Sequence, residues 1–240
     1  MMKSISTENL KLLPNPIELK RICKSISALE AVLCQEWSYR YFSYQKDWSE
    51  LEEVCEMRNG QGDQMLILFS DKGVCINGFA HESKMNGWRR IENKKSFIQE
   101  LFGTKEETTL VQEISEGVLE GLPKEFHGFI FGEPVKSIGT TFCIWQTKTN
   151  HEWKIGNPKL PDDNYKDGSA DLLQLLDGKP TTYKKWAEDY YELEISEEPI
   201  IRIFNGEMVT KELIQKLTLD LEDVGKLKSD LEEIGYPFEI

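Results

Sequence analysis

The sequence predicts an α+β fold: an antiparallel sheet built from hairpins, packed with N-terminal and C-terminal helices. Three observations predict it. Residues 58–88, RNGQGDQMLILFSDKGVCINGFAHESKMNGW, hold two apolar runs bounded by glycine-rich and charged turns. Apolar residues recur at helical spacing both before residue 35 and through much of the last third. Strand-like and helix-like stretches are partly segregated, without the regular βαβ alternation of a parallel sheet.

Taken in order, Pro14 and Pro16 precede Ile17, Ile22, Cys23, Ile26, Leu29, Val32 and Leu33, the pattern of an amphipathic helix ending near Cys34. Residues 37–44, WSYRYFSY, are dense in aromatics and predict a strand with Trp37, Tyr39 and Tyr41 on one face and Arg40, Phe42 and Tyr44 on the other. An aromatic stacking platform beside Arg40 is the alternative to core packing there. A strand over 53–58 is followed by the Asn59-Gly60-Gln61-Gly62-Asp63 turn. Strands over 65–69 and 74–79 then pair antiparallel through Ser70-Asp71-Lys72-Gly73, read as a three- or four-residue loop closed by glycine.

Beyond Trp88, Phe97, Ile98, Leu101 and Phe102 predict a short helix stopped by Gly103. Gly117, Gly121 and Pro123 then punctuate the chain. The expected organisation is one α+β domain over 1–240, with 103–125 as the place where two lobes would meet. FHGFIF, 126–131, reads as a strand, and 140–145 with 152–155 as a second hairpin. Ser169 reads as the N-cap of a helix carrying Leu172, Leu173, Leu175 and Leu176, closed by Asp177-Gly178. Pro180 opens a helix with Tyr183, Trp186, Ala187, Tyr190 and Tyr191 on one side. A short strand over 199–204 and acidic helices over 210–217 and 220–234 complete the chain.

A chain of 240 residues can bury a sizeable core. Its N-terminus has no apolar signal-peptide core, and no apolar run approaches the roughly 20 residues of a membrane span. Cys23, Cys34, Cys55, Cys75 and Cys143 are scattered and include no CxxC pair, as for buried thiols of a reducing compartment. The expectation is a cytoplasmic protein. Net charge is −13, and most of it lies in 187–240, where 15 acidic residues face only Arg202, Lys211, Lys216, Lys226 and Lys228. Such a field repels nucleic acid and anionic membrane and can attract a basic partner, although a solvated acidic surface that aids solubility is the preferred reading of the charge itself.

Tests for chemistry fail one by one. Gly60 and Gly62 suggest a phosphate loop, but Met65 stands at the third glycine position and no Gly-Lys-Ser/Thr follows. Residues 163–171 set Asp163, Asp167, Gly168 and Asp171 at calcium-loop positions, yet Tyr165 and Gln174 replace two ligands, so a turn is preferred. No cofactor and no metal set is expected. His81-Glu82 and His151-Glu152 are adjacent pairs whose side chains diverge on a strand, and no HExxH accompanies them or His127. A serine nucleophile elbow is missing, and no cysteine stands out. Lys84, Arg89, Arg90, Lys94 and Lys95 form a basic cluster diluted by Glu82 and Glu92.

The fragments MRNGQGD, INGFAHES, TTFCIW, DGSADLLQLLDG, YKKWAEDYYE and LEEIGYP together resemble a family of uncharacterised bacterial proteins found as single-domain chains. The resemblance runs over most of the chain from Trp37 onward. It implies a bacterial domain and assigns no site.

Two functions compete. The leading expectation is a non-enzymatic interaction or regulatory protein, immunity-like or stress-related, with an acidic C-terminal surface and a basic protein partner. The alternative is a hydrolase-type enzyme with His81, Glu82 and Asp63 at the exit of the central hairpin.

Overall fold

The computed structural model describes residues 4–92, 108–218 and 221–240. The helix expected over 97–102 lies outside them. A six-stranded, wholly antiparallel sheet forms the middle of the molecule, in the order β1 (Phe42–Ser49), β2 (Glu52–Arg58), β3 (Gln64–Ser70), β4 (Gly73–Phe79), β7 (Phe142–Thr147) and β8 (Lys154–Ile155). Between β4 and β7 the chain leaves the sheet to make an antiparallel ribbon of β5 (Trp88–Glu92) and β6 (Thr108–Gln112). The fold is α+β.

The central hairpin is tighter than expected. Ser70 pairs directly with Gly73, so the loop is the two residues Asp71 and Lys72. Side chains alternate across the sheet, and the two faces carry separate cores. Met65, Ile67, Phe69, Val74, Ile76, Phe142 and Ile144 face the helices, whereas Leu66, Leu68, Cys75, Cys143 and Trp145 face the smaller layer. Residues 108–125 run along this second face, where Val118 and Leu122 are buried.

The helical layer begins with α1 (Pro16–Leu33). Asn15 caps it, its Oδ1 accepting from the N–H groups of Ile17 and Glu18 at 3.1 Å each. Ile22, Cys23, Ile26, Leu29 and Val32 turn inward as their spacing predicts and Leu19 joins them, but Ile17 is 85% exposed at the first turn. The strand expected over 37–44 begins only at Phe42; Trp37–Tyr39 form a 3-10 turn. Arg40 explains the difference. Its guanidinium is buried and donates to the carbonyls of Cys34 and Gln35 and to Asp230, which folds the segment back on the end of α1. Tyr41, Phe42 and Tyr44 all enter the main core.

Two further expected strands are helices. Residues 126–131 turn from a 3-10 segment into α2 (His127–Phe131), followed by α3 (Val135–Ile138). Phe126 and Ile130 are buried at i and i+4 while Phe131 is 54% exposed, a helical rather than an alternating pattern. Residues 199–204 belong to α6 (Glu197–Phe204), where Ile200, Ile203 and Phe204 bury one face and Glu197 and Glu198 stand in the first turn.

Ser169 is the first residue of α4 (Ser169–Leu172) rather than its cap, the cap position being Gly168. The helix from Pro180 is α5 (Pro180–Tyr191). Next come α7 (Lys211–Leu217), capped by the Thr210 hydroxyl, and α8 (Val224–Ile234), capped by Asp223 instead of starting at residue 220. A short parallel pair, β9 (Val209–Thr210) and β10 (Phe238–Glu239), ties the C-terminus down. Among the described residues no helix is long and apolar enough to cross a membrane.

Candidate functional site

The end of the sheet where β2 passes into β3 and β4 leaves it gathers the polar groups that the sequence singled out. Register places them: Gln64 pairs with Phe79, so Asp63 stands beside Ala80 and His81. Asn59 builds the intervening turn, its Oδ1 accepting from the N–H groups of Gln61 at 2.8 Å and Asp63 at 3.0 Å. Its Nδ2 donates to Asp63 Oδ2 at 2.8 Å. Gly62, at φ +112°, lets this turn pass against the imidazole, because a Cβ there would lie 3.0 Å from His81 Cγ. The glycines serve the turn, as expected.

Asp63 Oδ1 accepts the His81 backbone N–H at 2.8 Å and lies 2.8 Å from His81 Nδ1. A carboxylate only accepts, so the tautomer with its proton on Nδ1 fits this contact and leaves Nε2 as a lone pair. Nε2 is 3.8 Å from Glu82 Oε1. The three predicted residues therefore converge, with His81 38% and Glu82 75% exposed at the side chain. Asn86 Nδ2 donates to the His81 carbonyl at 2.7 Å, and Ser83 Oγ donates to the Lys166 carbonyl at 2.6 Å, so the exit turn is fixed on both sides. Among the described residues no hydroxyl or thiol hydrogen-bonds to Nε2. The arrangement is an oriented carboxylate–imidazole pair open to solvent.

Tyr165 joins this end from a distant part of the chain, and the Asp63 charge also acts on Asp171 and Tyr41. Tyr165 donates to Asp63 Oδ2 at 3.4 Å; burial, then the Asp63 charge, pushes its phenol well above the ordinary range. Asp171, in α4, is exposed as a residue, yet partial desolvation of its carboxyl and then the Asp63 charge raise it. Tyr41 is raised by burial and then by Asp63, Tyr190, Glu30 and Asp171. Sequence reasoning did not link these three to Asp63, since no local pattern joins Tyr165 or Asp171 to a residue about a hundred positions away, and Tyr41 was read with the aromatic run of 37–44.

The remaining candidates sit elsewhere. His151 follows β7 near Thr147, which pairs with Gly73 at the opposite end of β4, so His151 and His81 do not meet. His127 packs edge-on against Phe131 at 5.4 Å. Asp163 accepts from the N–H groups of Tyr165 and Lys166, and Asp167 from Ser169 and the Thr7 hydroxyl, the turn bonding expected in place of a calcium loop. Among the described residues no group of His, Cys, Asp and Glu is arranged to hold a metal. Lys84 pairs with Asp163, and the Arg89 guanidinium turns back on the Asn86 and Trp88 carbonyls. The side chains of Arg90, Lys94 and Lys95 lie outside the described residues. Cys75 and Cys143 face each other at 3.8 Å as free thiols, and burial drives the Cys75 thiol far up, which keeps it unreactive.

Among the described residues, several clefts open away from this end, two of them beside the strands of the sheet and ribbon. One of about 1030 Å³ lies between the β5–β6 ribbon and α2–α3, lined by Trp88, Val111, Ile114, Phe131 and Val135. The other, of about 770 Å³, lies between the start of α1 and the hairpin tips, lined by Ile17, Leu51, Phe69 and Val74. Neither includes Asp63, His81 or Glu82. Comparison with protein-family models, with curated proteins and with solved structures finds no match to this chain.

Proposed function

We propose that the chain is a non-enzymatic interaction or regulatory protein of the bacterial cytoplasm, immunity-like or stress-related, that binds a basic protein partner. The distribution of carboxylates over its C-terminal elements carries this reading. Glu198, Glu207 and Glu212 are paired within the fold with Arg202 and Lys216. Glu192, Glu194, Glu222, Glu232 and Glu233 are exposed, and among the described residues their side chains make no ion pair. A predominantly acidic surface of this kind draws in a positively charged partner and speeds its encounter.

The expected result is that a fluorescent lysine- and arginine-rich peptide binds at low salt and is released at high salt. A variant with Glu192, Glu194, Glu232 and Glu233 changed to Gln should bind it several-fold more weakly while melting normally. Equal binding by the variant would remove the acidic surface from the account.

The Asp63–His81 pair supports a second reading, a hydrolase-type enzyme, because an imidazole oriented through Nδ1 is suited to general-base work. The interaction reading expects wild type and His81→Ala to hydrolyse an activated ester such as p-nitrophenyl acetate at the same background rate. A hundredfold drop in the variant, on the scale typical of a lost general base, would put the hydrolase first.

A further inference from the structure

The cleft between the start of α1 and the hairpin tips holds about 770 Å³, within the range of roughly 300–1,000 Å³ typical of small-ligand sites. Phe69 and Val74, buried members of the main core, form part of its lining. Ile17, from the first turn of α1, and Leu51, from the turn between β1 and β2, line it as well, yet they are 85% and 67% exposed. Two large aliphatic side chains from separate elements thus stay in water around one apolar cleft. Single exposed apolar residues are ordinary, but a concave group of them over a buried aromatic ring marks a place where something binds.

The charges of this lining are unevenly satisfied. Glu53 receives Lys20 at 2.5 Å, Lys24 at 3.0 Å and the Tyr44 hydroxyl at 2.7 Å, so two ammonium groups hold one carboxylate. Asp71 pairs with Lys72 at 2.7 Å. Both carboxylates that line the cleft are therefore already matched, and Glu50 and Glu52, in the turn that carries Leu51, are not part of the lining. Lys148, just after β7, and His151, three residues further on, differ: both line the cleft, both are exposed, and among the described residues neither side chain has a hydrogen-bond or ion-pair partner. The lining thus carries more ammonium than carboxylate, in a chain of net charge −13. Lys148 is one unpaired ammonium, so one negative charge satisfies it. A carboxylate accepts from an ammonium and from an imidazole N–H, whereas a neutral apolar molecule would leave both donors unused.

We propose that this cleft binds a small carboxylic acid with an apolar chain, its hydrocarbon part lying over Phe69 between Ile17 and Leu51 and its carboxylate meeting Lys148 and His151. The site is built from α1, the hairpin tips and the segment after β7, so it goes beyond the interaction reading and does not depend on the acidic C-terminal surface. The apolar lining supplies most of the attraction, and Lys148 with His151 fixes which end of the ligand points outward.

The test uses the full chain and two probes of equal chain length, octanoate and uncharged octanol, read through the methyl resonances of Ile17, assigned with Ile17→Val. Octanoate should shift them and saturate at a several-fold lower concentration than octanol. Lys148→Gln should weaken octanoate several-fold, the scale of one exposed ion pair, and leave octanol unchanged, while Lys148→Arg should restore octanoate. Leu51→Ser should weaken both probes. Leu51 and Lys148 are exposed, so these variants should melt as wild type does, and weaker binding would not be a loss of fold. The C-terminal Glu→Gln variant should bind octanoate as wild type does, which separates this site from the acidic surface. Octanol binding as tightly as octanoate, or Lys148→Gln with unchanged octanoate affinity, would overturn the carboxylate end. Saturation by neither probe, or binding indifferent to Leu51→Ser, would overturn the site itself. An acidic leucine-rich peptide that displaces octanoate at far lower concentration would assign the cleft to a protein partner and overturn the small-ligand proposal.

Discussion

Replacing Glu30 with alanine should lower the unfolding free energy by about 3–5 kcal/mol, the range for stranding buried polar partners. Glu30 is fully buried in the last turn of α1. Its Oε1 accepts from the Tyr183 hydroxyl at 2.7 Å, and its Oε2 accepts from the Tyr191 hydroxyl at 2.5 Å and the Tyr41 N–H at 2.9 Å. One side chain thus joins α1 to α5 and to the start of β1, and its loss leaves all three donors without an acceptor. Burial raises its carboxyl above the ordinary range, outweighing the hydrogen bonds that oppose it. A carboxyl raised in the folded state holds its proton more tightly there than in the unfolded chain. Its contribution is therefore complete below the unfolded value of about 4.3 and is lost as pH rises through the folded value. Urea melts of wild type and Glu30→Ala should show the widest gap at the acidic end of the folded range and a narrower one at neutral pH. A gap independent of pH would mean that Glu30 is not raised.

The central hairpin was legible because three signals agreed: apolar β-branched runs, glycines at both turns and polar punctuation between them. Once that pairing is drawn, Asp63 must stand beside His81, so the core of the candidate site follows from register alone. Helices α1, α5 and α8 were legible for the equivalent reason, being long enough for a period of 3.6 to show. Residues 126–131 and 199–204 were not. An apolar run of six residues fits a strand or a helix, and β-branched Ile200, Ile201 and Ile203 tipped the second towards a strand although Glu197 and Glu198 mark a helix start. The segment from Trp37 to Arg40 failed differently. Its alternation was strand-like, but the demand of the Arg40 guanidinium for carbonyls and for Asp230 decided the backbone path, and that partner lies 190 residues away.

The aromatic group on α5 shows the same limit within one helix. Its spacing put Tyr183, Trp186, Ala187, Tyr190 and Tyr191 on a single face, which suggests uniform burial. That face is wide, and the structure divides it: Glu30 draws Tyr183 and Tyr191 inward, while Trp186 and Tyr190 remain at the border beside Tyr41. The buried carboxyl that secures the fold therefore also decides which rings of α5 are drawn inward.

Gly73→Ala is expected to be the other strongly damaging change, at about 2–4 kcal/mol from overpacking and backbone strain together. Gly73 has φ +144°, and a Cβ there would lie 2.1 Å from the Gln146 carbonyl oxygen and 2.9 Å from Thr147 Cα. Those atoms are backbone of β7 and cannot rotate away, so β4 and β7 must separate where Gly73 pairs with Thr147 and where Lys148 N–H bonds the Lys72 carbonyl at 2.8 Å. Gly60→Ala supplies the comparison, because Gly60 has φ +71° with nothing within 4 Å of the added Cβ. It carries the left-handed backbone cost alone, about 1–2 kcal/mol. The difference between the two variants isolates the close approach of the strands. Amide exchange should quicken at Thr147 and Lys148 in Gly73→Ala but not at His81, which lies past the far end of the seven-residue strand, roughly 20 Å away at about 3.3 Å per residue. Equal destabilisation by the two alanines, or exchange quickened uniformly along β4, would show that strand separation at Gly73 is not what the substitution costs.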